Sequence, residues 1–261
     1  MNRYPAISEL FLQAKKGQTK TIIDRVRFTA PFKVTNPFYG DGQKMEVMLL
    51  SVSAGIMAGD TQRIHIEAGN GAFLEVTTQS CEKIHRMDGG CATRDTILTI
   101  GPKAVLIYAP LPVIPFAGSS FAGETMINLA DETSTVFIGD ILSCGRLARN
   151  ERFAYNSYRS RVKAFLSGKP IYSDNAVFEP DSMDMDSFCL YEGYSYLLNV
   201  FIAGGRFLGG SLDQINDHLG SFGGIKAGAS HTGSGAVCVR ALGNDAETLI
   251  GLEHALKRLI E

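Results

Sequence analysis

The sequence contains no tryptophan, no CxxC pair and no surplus of basic residues. Lysine and arginine number 25 against 27 aspartates and glutamates, a formal net charge of −2. Such a balance supplies neither the phosphate-neutralising patch of a nucleic-acid binder nor a basic face for an anionic membrane. The five cysteines, Cys81, Cys91, Cys144, Cys189 and Cys238, are odd in number and scattered. A secreted disulfide framework is therefore not expected, and reduced thiols in the cytoplasm are the simpler reading. Residues 1–5 lack the basic-then-apolar order of a signal peptide. The most apolar stretches, residues 47–58 and 104–116, fall short of the roughly 20 residues that cross a bilayer, and Pro110, Pro112 and Pro115 interrupt the second. Also missing are the GxxxxGK phosphate loop, the HExxH zinc helix and the GxSxG nucleophile elbow.

What is present is apolar and glycine-rich: 45% hydrophobic residues, with 28 glycines and 9 prolines. That content can offset the chain entropy lost on folding, which excludes a disordered chain. Alternation rather than helical periodicity governs the first two-thirds. Residues 9–14, 21–24 and 46–52 read as short strands separated by polar and glycine-rich turns. A strand–turn–strand unit then recurs, with strands at 64–67 and 72–76, at 96–100 and 104–108, and at 125–129 and 134–138. Aligned on Ala72, Ala104 and Ser134, the units repeat at about 32 and 30 residues, the spacing of stacked supersecondary elements. One such hairpin cannot bury its apolar face alone, whereas a stack can. The fold expected is mainly β, with stacked β-hairpins in a layered sandwich or a β-helix-like arrangement; an ordinary sandwich of similar hairpins is the alternative.

After Pro180 the texture changes. Ser211 could cap a short helix running through Leu219, and Asn244 or Asp245 a final helix whose Leu249, Leu252, Leu256, Leu259 and Ile260 form one stripe. The chain thus divides into a β-stack domain, 1–180, and a C-terminal α+β part, 181–261, with about two helices packed against it.

Two sets of residues carry candidate chemistry. Cys81, His85 and Cys91 would offer two thiolates and an imidazole to zinc, copper or nickel if the loop at 87–90 folds back; otherwise they are unrelated strand-end residues. Asp60, Asp140 and Glu151 stand in glycine-bearing or polar segments. They either line a polar path as hard oxygen ligands or satisfy backbone groups and surface ion pairs. Thr77-Thr78-Gln79-Ser80 places four hydrogen-bonding side chains at the end of an apolar strand.

Four segments occur in one order: residues 53–60 ahead of a strand, Thr77-Thr78-Gln79-Ser80 with Lys83 soon after, residues 111–116 (LPVIPF), and Gly145-Arg146 with Glu151. That series resembles the urease accessory proteins of the UreD family, called UreH in some bacteria, from about residue 8 to 180 and more weakly into the tail. Two departures stand out: Ser53-Ala54-Gly55 is less glycine-rich than the family's turn, and Asn150 replaces a frequent glycine.

The resemblance implies a non-enzymatic maturation factor of mainly β fold with a few helices. It would bind apo-urease and, through a UreF-type partner, recruit a UreG-type GTPase that delivers nickel, with a homodimer possible inside the complex. It implies no permanently bound cofactor, only nickel in transit, and gives Asp60, Asp140 and Glu151 the role of passing ligands in an internal channel. The leucine stripe of Leu252, Leu256 and Leu259 would either pack on its own domain or dock into the UreF-like partner. The competing reading is a carbohydrate-active enzyme or small-molecule-binding protein on a β-sandwich, with Asp60, Asp140 and Glu151 as its acid–base residues.

Overall fold

The structure, a computed structural model, describes residues 7–40, 42–205 and 212–261. The chain opens with β1 (Ser8–Lys16), β2 (Thr21–Phe28), β3 (Phe32–Val34) and β4 (Met45–Ser51). It continues through β5 (Thr61–Ala68), β6 (Phe73–Thr78), β7 (Glu82–Ile84), β8 (Ala92–Ile100), β9 (Val105–Tyr108), β10 (Val113–Pro115), β11 (Ser120–Leu129) and β12 (Thr135–Ser143). Then come β13 (Ser157–Leu166), β14 (Lys169–Phe178), β15 (Tyr196–Gly204), α1 (Leu212–Ser221), β16 (Ile225–His231), β17 (Val237–Gly243) and α2 (Ala246–Lys257). Helix and strand content make the molecule mainly β with a small C-terminal helical part.

Two sheets face each other. One has seven strands in the order β14-β13-β11-β8-β5-β1-β2; the other has ten, running β16-β17-β15-β12-β9-β6-β4-β3 with β10 and β7 alongside β12. The repeated units supply the centre of both. Within each unit the first strand joins the seven-stranded sheet and the second joins the ten-stranded one. β5, β8 and β11 are thus parallel neighbours on one side, and β6, β9 and β12 on the other.

The units are therefore arches of a β-helix-like coil, not hairpins. A hairpin and an arch share the same alternation and the same short connection, so the strand pattern could not separate them. Their stacking follows the aligned positions: Val105 N–H donates to the Ala72 carbonyl (2.8 Å) and Thr135 N–H to the Ala104 carbonyl (2.9 Å). Ala72, Ala104 and Ser134 are buried where the turns pile up.

Burial differs between the layers. β9 is buried at every position and β12 at all but one, because the ten-stranded sheet is covered on its far face by the helices. Strands buried on both faces read as continuous apolar runs. Between the sheets lies a core that includes Leu12, Ile66, Leu74, Leu98, Leu106 and Ile127.

The C-terminal part extends the same sheet, since β15 runs antiparallel to β12 from Thr135↔Gly204 to Ser143↔Tyr196, and β17 and β16 follow it. α2 is capped by Asp245, whose side chain accepts from Thr248 N–H. The cap proposed at Ser211 lies outside the described residues, and α1 is seen from Leu212. Among the described residues no helix is long and apolar enough to cross a membrane.

The leucine stripe packs inward. Leu249, Leu252 and Leu256 are fully buried and Leu259 partly so, all against the ten-stranded sheet. Leu252 and Leu256 are thus not free to dock a partner, which corrects that alternative; burying them on the chain's own sheet already satisfies the apolar stripe. A polar clamp closes the same helix, where Glu75 of β6 accepts from Lys257 (2.5 Å) and Lys44 (2.9 Å).

Candidate functional site

β8 reads ATRDTILTI, and its Thr96, Leu98 and Ile100 point between the sheets. The two-residue period places Arg94 in the same row. Gln62 is likewise in phase with Ile64 and Ile66 on β5. A polar group so placed needs partners, because desolvation without them is costly. Arg94 finds them: Nη1 donates to Glu82 Oε2 and Nη2 to Glu82 Oε1, both at 2.5 Å, while Nε donates to Gln62 Oε1 at 2.9 Å. The Arg94 and Glu82 side chains are 15% and 19% exposed, and Gln62 is buried.

This pair lines a cavity of about 150 Å³ between the sheets. One wall is Arg94, Thr96, Phe121, Thr125, Tyr158 and Ser160; the other is Leu49, Thr78, Tyr108, Ile138 and Asp140. Room of this size and polarity suits several waters or a hydrated ion. Asp140 sits on β12 directly after Gly139 and forms no ion pair among the described residues. Burial pushes its carboxyl up to about 6; Arg94 pulls it back, and Glu82 and Asp174 push the same way as burial. Burial also raises Tyr108 to about 12 and Tyr158 higher still, so both stay neutral hydroxyls. Of the cavity's carboxylates, Glu82 is committed to the fixed Arg94 guanidinium and Glu124 to Lys163, which leaves Asp140 available to a newcomer.

Two segments singled out in the sequence frame the rim. Residues 53–55, Thr78, Ser80, Cys81 and Lys83 line the cavity. Gly55 has φ +146°, and a Cβ there would meet the Lys83 carbonyl oxygen at 2.4 Å and His85 Cδ2 at 2.8 Å. Only glycine fits so close an approach. The His85 ring binds the Ala54 carbonyl through Nε2 (2.9 Å) and packs edge-on against Phe116. Thr78 Oγ1 accepts from Leu111 N–H at 2.9 Å, tying the 77–80 segment to the 111–116 segment.

The remaining candidates are placed elsewhere. Asp60 accepts from Met57 N–H (2.8 Å) and closes its own turn. Glu151 accepts from Arg146 Nε (2.7 Å) and from Ala117 N–H (3.1 Å), with the Arg146 guanidinium stacked on Phe116. Asp60, Asp140 and Glu151 are not gathered into one group, because among the described residues no three His, Cys, Asp or Glu side chains are arranged to hold a metal. The same finding corrects the convergence of Cys81, His85 and Cys91: His85 is turned to Ala54, and Cys91 donates to the neighbouring Ala92 carbonyl (3.2 Å). Of all the candidates only Asp140 and Cys81 line the cavity. Glu82, Arg94 and Gln62 were not foreseen, although strand phase alone points Arg94 and Gln62 inward.

One further carboxyl is notable. Glu253 of α2 is buried against Gly139, and its Oε1 has no hydrogen-bond partner among the described residues. It lies on the far face of the ten-stranded sheet, behind Asp140.

Comparison with known proteins places this geometry in context. Residues 7–261 match the family model described as UreD urease accessory protein. The chain is 35% identical over 260 residues to the urease accessory protein UreH of Helicobacter pylori strain G27, covering 99% of this chain and 97% of the relative. It is 32% identical over 260 residues to the urease accessory protein UreD of Acetivibrio thermocellus, covering 99% of both. The UreD of Sporosarcina pasteurii is 28% identical over 244 residues, 92% of this chain and 93% of that one.

Proposed function

We propose that this chain, which belongs to the UreD family of urease accessory proteins, is a maturation factor that holds apo-urease with its accessory partners while nickel passes. Members of the family are accessory proteins and not catalysts, so the carbohydrate-active reading is set aside. The observation that carries the nickel step is the inter-sheet cavity, where Asp140 stands with its carboxylate uncommitted while Glu82 is fully taken up by Arg94.

A lone carboxylate among hydroxyls and water attracts a divalent cation yet releases it, whereas thiolates would retain it. Nickel is cargo here and no permanent cofactor is needed. Asp60 and Glu151, which do not line the cavity, would act as passing ligands elsewhere on the path. A UreF-type protein would bridge this chain to a UreG-type GTPase, and two copies of the chain would sit in the assembled complex. The work takes place in the cytoplasm, where the five free cysteines stay reduced.

The test is deletion of the gene in a urease-producing cell, with urease assayed at limiting and at excess nickel. We expect urease protein at normal level, activity lost at limiting nickel, and activity partly recovered in excess. Full activity without the chain at limiting nickel would refute the function. Affinity purification of the tagged chain should recover urease and a small GTPase; recovery of neither would refute the partners.

A further inference from the structure

We propose that Arg94 sets how briefly a divalent cation stays in the inter-sheet cavity, acting as a fixed positive charge that keeps Glu82 and Asp140 from chelating the ion together. The inference rests on the reading of the cavity as a cation path.

Glu82 and Asp140 both line this small space, as does Glu124, which is paired with Lys163. Left to themselves, a pair of acidic groups in a half-dry cavity would bind a divalent cation strongly and hold it. Arg94 prevents this in two ways. Its fork occupies both oxygens of Glu82, which removes one ligand from the cavity. Its charge also acts on Asp140 more strongly than any other charged group does, and so opposes any cation settling there.

The choice of arginine is physically pointed. A lysine could lose its proton when a cation approached, but a guanidinium cannot. Nor can this one swing aside. Gln62 takes both Nε and Nη2 of the guanidinium, and the Phe121 ring lies 5.8 Å from Cζ. Anchors from β5 and β7 hold it from two sides. A structural salt bridge needs only Glu82, so the second anchor at Gln62 serves to fix where the charge sits.

The experiment uses two variants that weaken the positive charge by different chemistry. Gln62→Glu keeps the guanidinium but gives it a second carboxylate. Arg94→Gln removes the charge and frees Glu82, so that Glu82 and Asp140 can meet one ion. Each is purified as the full chain, its fold checked by circular dichroism, and its affinity for Ni²⁺ and the rate of Ni²⁺ release measured. Each is also made with Asp140→Asn to subtract nickel held elsewhere.

Coulomb attraction at interior dielectric makes a unit charge near a divalent ion decisive. We expect about tenfold or more tighter binding and correspondingly slower release, lost when Asp140→Asn is added. Should Arg94→Gln fail to fold, Gln62→Glu decides alone. Folded variants that bind and release Ni²⁺ as the wild type does would overturn the role of Arg94. The path itself is judged separately: wild-type urease activation by Asp140→Asn at limiting nickel would refute the path, whatever the Arg94 variants do.

Discussion

Replacing Glu253 by glutamine should stabilise the protein, and by an amount that depends on pH. Glu253 is 3% exposed and its Oε1, pressed against Gly139, is unpartnered among the described residues. Burial raises its carboxyl from the ordinary 4.5 to about 8; Lys257 opposes the rise, and Asp140 and Glu75 add to it. Folded protein therefore keeps the proton over a pH range in which the unfolded chain has released it. Stability falls as pH rises through that window, by about 1.4 kcal/mol per pH unit, and levels off above the folded value. Between pH 4.5 and pH 7 the loss comes to about 3 kcal/mol.

Glutamine has nearly the same shape and no proton to lose, but it leaves an amide in a dry place at a cost of about 1–2 kcal/mol. The net gain at pH 7 should be about 1–2 kcal/mol, which raises the melting temperature by about 2–8 °C for a chain of this size. At pH 5 it should vanish or reverse. Urea unfolding of both proteins at pH 5, 7 and 8.5 measures this directly. A difference between the two proteins that is the same at every pH would refute the reasoning.

Further outcomes can be checked with single variants. Gly55→Ala forces a Cβ into the Lys83 carbonyl, so we expect a loss of about 1–3 kcal/mol and a displaced rim, read by thermal melting and urease activation together. Leu256→Ala empties a fully buried site between α2 and its sheet and should cost about 2–5 kcal/mol in urea unfolding. The pair Cys81→Ser and Cys91→Ser should leave nickel affinity in dialysis as it is, because these thiols are not arranged with His85 around a metal; a clear drop would show that they are ligands after all.

Much of the fold was legible because its repeats are written in strand alternation. Ala72, Ala104 and Ser134 align in the sequence and stack in the structure, linked by the bonds from Val105 and Thr135. Whether each unit was a hairpin or an arch was not legible from alternation, yet a cue existed. Residues 104–108 are apolar without a break and buried throughout, as befits a strand covered on both faces. The site was harder to read. Asp140 stood out as a carboxylate in a glycine-bearing segment, but the groups around it lie on other strands, and only the register of β5 and β8 brings Gln62 beside Arg94. Cys81, His85 and Cys91 looked grouped because they are close in sequence. Their directions are set by β7 and the loop that follows it, where the His85 ring turns to Ala54. Glu253 carried a visible signal too, a carboxylate set between Leu249, Leu252 and Leu256 in an otherwise apolar stripe.

The most direct test of the central claim is the nickel content of urease matured beside the Asp140→Asn chain. Urease would be purified from cells grown at limiting nickel, carrying either the wild-type chain or the variant at equal levels. If the ion travels through the inter-sheet cavity, the variant should yield urease with several-fold less nickel per active site, at unchanged urease protein and with recovery in excess nickel. Urease as fully metallated beside the variant as beside the wild type would contradict it.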